Sequence, residues 1–296
     1  MNSSMMFVQA LIDGLLIGGV YAVVAIGLSL AFGVMRIVNW AHGELLMLSI
    51  YFSYFIFSWS GMDPYLIMFL NAVVMAAVGY ILQRFIISNM LAREKEVEPV
   101  SVLLFTAGLG VFLSNLALVI FKGNPKTATT VYTGQSLHLG ELYVSVPKLI
   151  SFAIAMVCTL ALYFFLQKSE TGRAIRAASQ NRNVVTLMGV NIKRLYNIAF
   201  SISVGMVGIA GALLLPYSSV QPTSGSTYSF KSFVIIVLGG QGSVIGALLS
   251  GLLVGIIEKT GTLYFSDTTA QIAVFAVFVI VLLFRPNGLF GKKQSV

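Results

Sequence analysis

The chain has 296 residues, 57% of them hydrophobic and 9% charged, with a net charge of +8 and a mean hydropathy of +0.91. Soluble domains carry about 25% charged residues, so this composition cannot clothe a water-facing surface around one core. Low charge, aperiodic glycine and a single cysteine also exclude a disordered chain, collagen, a coiled coil and a disulfide scaffold. The remaining class is an all-α polytopic membrane protein.

A helix needs roughly 20 apolar residues to cross a hydrocarbon core. Eight stretches approach that length: 7–33, 45–59, 64–83, 99–121, 146–166, 195–216, 232–257 and 263–284. The first has no Lys or Arg ahead of it and exceeds the apolar core of a signal peptide, so it reads as a retained span. Its Asp13 reads as interfacial. After it comes a small-polar interruption at 38–45, holding Asn39, Trp40, His42, Gly43 and Glu44. An ionisable residue near membrane depth is a functional candidate by default, because its burial is costly unless it is paired or hydrated. The competing reading is that His42 and Glu44 bond backbone groups freed by the helix break. Metal binding is not expected, since the only other histidine is His138 in the polar segment 122–145 and there is no cysteine pair or carboxylate cluster.

Further along, Gly108 and Gly110 lie within a span and make no nucleotide fingerprint, and Cys158 reads as a small packing residue. The segment 168–194 holds six basic residues, Lys168, Arg173, Arg176, Arg182, Lys193 and Arg194, against the single acid Glu170. That bias marks a cytoplasmic loop, and the tail with Arg285, Lys292 and Lys293 should share its side. Within the loop, 171–178 reads as a short helix with Arg173 and Arg176 on one flank. Asn183 is a candidate cap for a second helix over 184–188, which Gly189 would end. Such a loop could hug anionic headgroups, but small alanine faces with flanking arginines favour docking on another protein. Nucleic acid is not a partner of such a chain.

Three apolar runs between Arg194 and Arg285 cannot leave both on one side. The stretch Gly239, Gly240, Gln241, Gly242, Ser243 supplies a repair. If 230–238 enters as a half-helix, turns at this break and returns through 244–257, parity is restored. The alternative is a glycine kink. Lys231 and Glu258, which bracket this run, read as snorkelling end residues. An offset of 199 lays 38–45 beside 237–244, so the chain reads as one transmembrane domain with pseudo-repeats at about 1–121 and 195–290, its two breaks facing one another across a path. Small residues four apart, such as Gly14 and Gly18 or Gly251 and Gly255, suit close helix packing. There is no GxSxG motif and no GxxxxGK[ST] loop, so neither hydrolysis nor ATPase chemistry is expected of the chain itself.

Four motifs in order carry a resemblance over nearly the whole chain. They are GVMRIVNWAHGE at 33–44; GRAIRA at 172–177 with MGVN at 188–191; KSF at 231–233 with VLGGQGS at 237–243; and RPNGLFG at 285–291. The chain resembles the LivH-type permeases of branched-chain amino acid ABC importers, which commonly have NFAHGE where Trp40 stands here in place of Phe, and frequent Ala where Val184 and Val185 stand. The resemblance implies a permease subunit of the bacterial inner membrane, paired with a second, LivM-like permease, two cytoplasmic ATPases and an extracytoplasmic binding protein. ATP would be bound by the partners, and this chain would hold no cofactor. Gly172, Arg173, Ala174, Arg176, Ala177, Gly189 and Asn191 would match the ATPase-docking segment. Related permeases carry urea, short-chain amides and other amino acids. A self-contained channel or carrier for a small neutral solute is the rival class.

Overall fold

A computed structural model describes residues 3–93 and 100–291. Lys292 and Lys293, on which part of the tail reading rested, lie outside the described residues. Twelve α-helices are described: α1 Ser3–Met35, α2 His42–Ser60, α3 Pro64–Ile81, α4 Ser88–Arg93, α5 Val100–Phe121, α6 Val146–Lys168, α7 Glu170–Gln180, α8 Arg182–Leu187, α9 Ile192–Leu214, α10 Ser224–Gly239, α11 Val244–Gly261 and α12 Asp267–Phe284. A π-helical turn, Leu82–Ile87, joins α3 to α4. Seven helical segments are long and apolar enough to cross a membrane; α2 and α10 are not among them. The protein is an all-α multi-pass membrane protein. One addition escaped the sequence reading: the polar 122–145 segment carries a short antiparallel hairpin, β1 Ser136–Leu139 and β2 Leu142–Ser145.

The bundle has two ends. At one, Gln9 of α1 bonds the backbone of Tyr143 in β2, and Asp13 pairs with Lys148 at 2.7 Å. At the other, Val34, Met35 and Arg36 line a cavity with Ala178, Asn181 and Tyr196. The 33 residues of α1 run unbroken between these ends, about 50 Å at 1.5 Å per residue. Buried on almost every side from Leu16 to Ala31, α1 is the central post of the bundle.

Glycine lets the neighbours of α1 approach. A Cβ on Gly18 would lie 2.8 Å from the Gly251 carbonyl, and one on Gly14 would lie 2.7 Å from that of Gly255. This seam makes α11 antiparallel to α1. A second seam of the same kind joins α9 to α3, where a Cβ on Gly208 would meet Asn71 and Ala72. These are the two most extensive helix pairs. Each seam joins a helix of the first half to one of the second. The break at 38–45 packs on the start of α10 rather than on the turn at 237–244.

The re-entrant reading is corrected as well. The turn between α10 and α11 sits at the α7 end, where Gly242 packs on Gly33 and the Leu289 N–H donates to the Leu238 carbonyl at 2.7 Å. Here α10 and α11 form an ordinary helical hairpin. The missing crossing is made by 215–223 and α10 together, from the β1–β2 end, where Val220 bridges Lys126, to the α7 end, so that Arg194 and Arg285 share the α7 end.

Gly251→Leu should therefore fail where Gly108→Leu succeeds, because Gly251 faces the Ala22 backbone at 2.7 Å and Gly108 faces open space. Overpacking at the seam should cost about 3 kcal/mol. Thermal unfolding in detergent should show a lowered midpoint for the first variant and an unchanged one for the second.

Candidate functional site

After Met35 the chain turns at Arg36, a non-glycine residue with φ of 54°, and climbs back beside α1 through the irregular segment 36–41. His42 marks how far it climbs. Its Nε2 bonds the Val24 carbonyl at 3.0 Å, about 16 Å back along α1 from Met35. Because a carbonyl can only accept, Nε2 carries the proton, and Nδ1 is buried without a partner. His42 is fully buried. Its ring bonds the carbonyl of a residue inside α1 rather than a backbone group freed at the break.

Non-helical backbone inside an apolar bundle must find partners for its N–H and C=O groups. Asn39 Oδ1 accepts from Ala41 N–H at 3.1 Å, and Thr106 Oγ1 of α5 accepts from Trp40 N–H at 3.3 Å. The central partner is Ser229 of α10. Its Oγ accepts from Gly43 N–H at 2.9 Å and lies 3.0 Å from both the Trp40 carbonyl and Glu44 Oε2. Gly43 is obligatory, since a Cβ there would collide with the Gly225 carbonyl and the Ser229 nitrogen. Glu44 is buried in the first turn of α2. Around this contact Trp40 packs against Phe230 and Phe233, each at 5.8 Å between ring centroids.

The two breaks thus do not face one another. The partner of Gly43 and Glu44 is the start of α10, at Gly225 and Ser229, while Asn39 bonds within the turn and His42 bonds α1. The other candidates, Gly239, Gly240, Gln241, Gly242 and Ser243, build the turn at the α7 end. Gly240 adopts φ of +90° against Gly291, Gln241 is exposed, and Ser243 Oγ caps α11 by accepting from Gly246 N–H at 3.0 Å. Two of the motifs in the sequence, 237–243 and 285–291, are in contact here. Lys231 and Glu258 are not snorkelling ends: they form an ion pair of 2.8 Å, with side chains 15% and 12% exposed.

At the same end α7 presents Glu170, Arg173, Ala177 and Gln180 to the outside and buries Gly172, Ile175 and Ala178. Ala174 is half-buried. Gly172 is a packing residue, for a Cβ would strike the Phe165 carbonyl at the end of α6. Arg176 folds back onto Gln167 of α6, with its Nη1 donating to Oε1 at 2.6 Å, and Arg173, more exposed, donates from Nη1 to the Lys168 carbonyl at 3.2 Å. The cap of α8 is Asn181 rather than Asn183; its Oδ1 accepts from Asn183 and Val184 N–H. Gly189 takes φ of +83°, and Asn191 caps α9 through Arg194 N–H. On α8 and just beyond it Val184, Leu187 and Met188 are exposed, the last two at 88% and 77%.

Sequence reasoning missed Ser229, Gly225 and Thr106, because an isolated hydroxyl or glycine in an apolar helix gives no local signal of a partner nearly 200 residues away. No group of three or more metal-ligating side chains gathers among the described residues.

A bundle of apolar helices that encloses irregular backbone and carries an amphipathic helix pair at one end is the anatomy of a membrane transport permease. The chain belongs to the family described as branched-chain amino acid transport system / permease component, whose model matches residues 10–283. It is 28% identical to the high-affinity branched-chain amino acid transport system permease protein BraD of Pseudomonas aeruginosa, covering 97% of each chain. With the corresponding LivH protein of Escherichia coli K12 it shares 29% identity over 97% of this chain and 96% of that one. The ribose import permease protein RbsC of Bacillus subtilis is 25% identical over 61% of this chain and 56% of its own. No solved structure matches the chain.

Ser229→Ala should leave the Gly43 N–H buried and unpaired, a loss of about 1–3 kcal/mol. Chemical or thermal unfolding of the detergent-solubilised protein should show that drop; unchanged stability would mean that the break is held by something else.

Proposed function

We propose that the chain is the permease subunit of an ATP-driven importer for branched-chain or other hydrophobic amino acids. It forms half of the path and pairs with a second permease, two cytoplasmic ATPases and an extracytoplasmic receptor. The observation that carries this reading is the near end-to-end match to two relatives named as branched-chain amino acid permeases, with no large insertion or missing half. In this reading the chain binds no ATP, having no phosphate loop, and the α7 end faces the cytoplasm of a bacterial inner membrane.

Physical support comes from α7 and α8. Leu187 and Met188 are exposed at the end of α8, and α7 exposes Arg173, so this helix pair offers both apolar and basic side chains to a partner. Motion of an ATPase against α7 would reach Val34 and Met35 at the foot of α1 and, through 36–41, the start of α2. ATP binding and hydrolysis would then shift the balance between two arrangements of the halves.

Arg173→Glu combined with Leu187→Glu should abolish ATPase co-purification and uptake while leaving the permease folded, since neither side chain is buried. Retained co-purification and uptake would refute the docking surface. For orientation, a cysteine at position 180 in a Cys158→Ser background should resist an impermeant thiol reagent in intact cells and react in inverted vesicles. Labelling in intact cells would reverse the assigned sides.

A further inference from the structure

Lys231 of α10 and Glu258 of α11 meet where apolar helices surround them. Tyr21 of α1 closes the cluster: its hydroxyl accepts from Lys231 Nζ at 3.1 Å and donates to Glu258 Oε1 at 3.3 Å, while the ammonium sits 4.8 Å from its ring centroid. The cluster is not saturated. Glu258 Oε2 is buried with no hydrogen-bond partner, and Lys231 uses two of its three N–H donors. Both residues line a cavity of about 120 Å³ between α10, α11 and α12, walled on its apolar side by Phe230, Val234, Val274 and Phe275.

A buried ion pair is a weak stabiliser, because the cost of desolvating both charges offsets their attraction and packed apolar side chains do as well. In a membrane chain such a pair marks binding or transport. The position agrees with that. Phe230, on the cavity wall, is edge-on to Trp40 at 5.8 Å and to Phe275 at 6.4 Å, so the cavity adjoins the irregular segment before α2.

We propose that this cavity is an intramembrane binding station for a zwitterionic amino acid with a small apolar side chain. Glu258 takes the α-ammonium, Lys231 takes the α-carboxylate, and Phe230, Val234, Val274 and Phe275 receive the side chain. The ligand class follows from charge balance. A solute that parts Lys231 from Glu258 must replace both halves of the pair. A singly charged solute leaves one residue unpaired in apolar surroundings, and a sugar, urea or simple amide returns no ion pair at all. A molecule that carries an ammonium and a carboxylate on one carbon replaces both at once and also engages the free Oε2. The cavity lies below the roughly 300–1,000 Å³ of drug-sized sites, which suits a side chain of a few carbons.

This inference rests on the reading that the cargo is an amino acid, and the test separates the two. The complete transporter, assembled in liposomes with its receptor and ATPases, is given a radiolabelled diazirine analogue of leucine and irradiated during ATP-driven uptake. Peptide mapping should find the label within 226–234 and 271–275, suppressed at least tenfold by excess leucine. Uptake with the label elsewhere would overturn the station while leaving the amino-acid importer standing; no ATP-driven uptake of leucine or of the analogue would overturn both. The exchange variant Lys231→Glu with Glu258→Lys keeps an internal ion pair but reverses the sites offered to the ligand. It should retain assembly and receptor-stimulated ATP hydrolysis, with leucine uptake reduced at least tenfold. Uptake within twofold of the unaltered transporter would make the pair a structural strut and refute the proposal. Should the exchange prevent assembly, the labelling pattern of the unaltered transporter decides alone.

Discussion

Backbone amides inside an apolar bundle have no water to turn to, and the segment between α1 and α2 exists only because other parts of the chain bond it. One hydroxyl, Ser229 Oγ, meets the Gly43 N–H, the Trp40 carbonyl and the Glu44 carboxylate within 3.0 Å. The contact requires α10 to lie against α2 backbone to backbone, which the bare α-carbons of Gly43 and Gly225 permit. From that contact follow the path of 36–41 beside α1, the burial of Glu44 and the placement of Trp40 between Phe230 and Phe233. The glycine seams of α1 with α11 and of α9 with α3 then bring the two halves to the distance at which this junction closes.

Much of this was legible in the sequence because the bilayer imposes a length on apolar runs. The runs 7–33, 99–121, 146–166, 195–216 and 263–284 fall within four residues of observed spans, whereas 45–59 is not one of the seven and 232–257 is divided between α10 and α11; the basic segment 168–194 does form two short helices. The small-residue pairs Gly14 and Gly18, and Gly251 and Gly255, lie in one seam, as their spacing suggests. What failed was inference about partners across long separations. The glycine-rich stretch 239–243 looked like a pore-lining break because its composition is the same as that of a tight helical turn; only the contacts with Gly33 and 287–291 distinguish the two. Lys231 and Glu258 looked like helix-end residues: the turn expected at 239–243 lays 230–238 beside 244–257, but nothing in the spacing shows that it brings these two side chains together. Asn181 rather than Asn183 caps α8, an ambiguity of two residues that propensity does not resolve.

The glycine seams hold α1 to α11 and α9 to α3, and α2 and α10 meet at the Ser229 contact. Each of those two helices is reached through irregular backbone, 36–41 and 215–223, rather than through a continuous helix. The relatives named as amino-acid and ribose permeases share parts of this chain's sequence, which fits a frame whose cargo preference is carried by a few side chains.

The Ser229 junction also bears on how the protein is made. Gly43 and Ser229 are separated by 186 residues of chain, so when α1 and α2 first enter the bilayer the Gly43 N–H lacks the hydroxyl that accepts it, while Asn39 already meets the Ala41 N–H. The Gly43 amide must remain near water or within the insertion machinery until α10 has been synthesised. Assembly of the first pair of helices is thus provisional, and a chain truncated before residue 229 would present an unfinished hairpin to the cell's quality-control proteases.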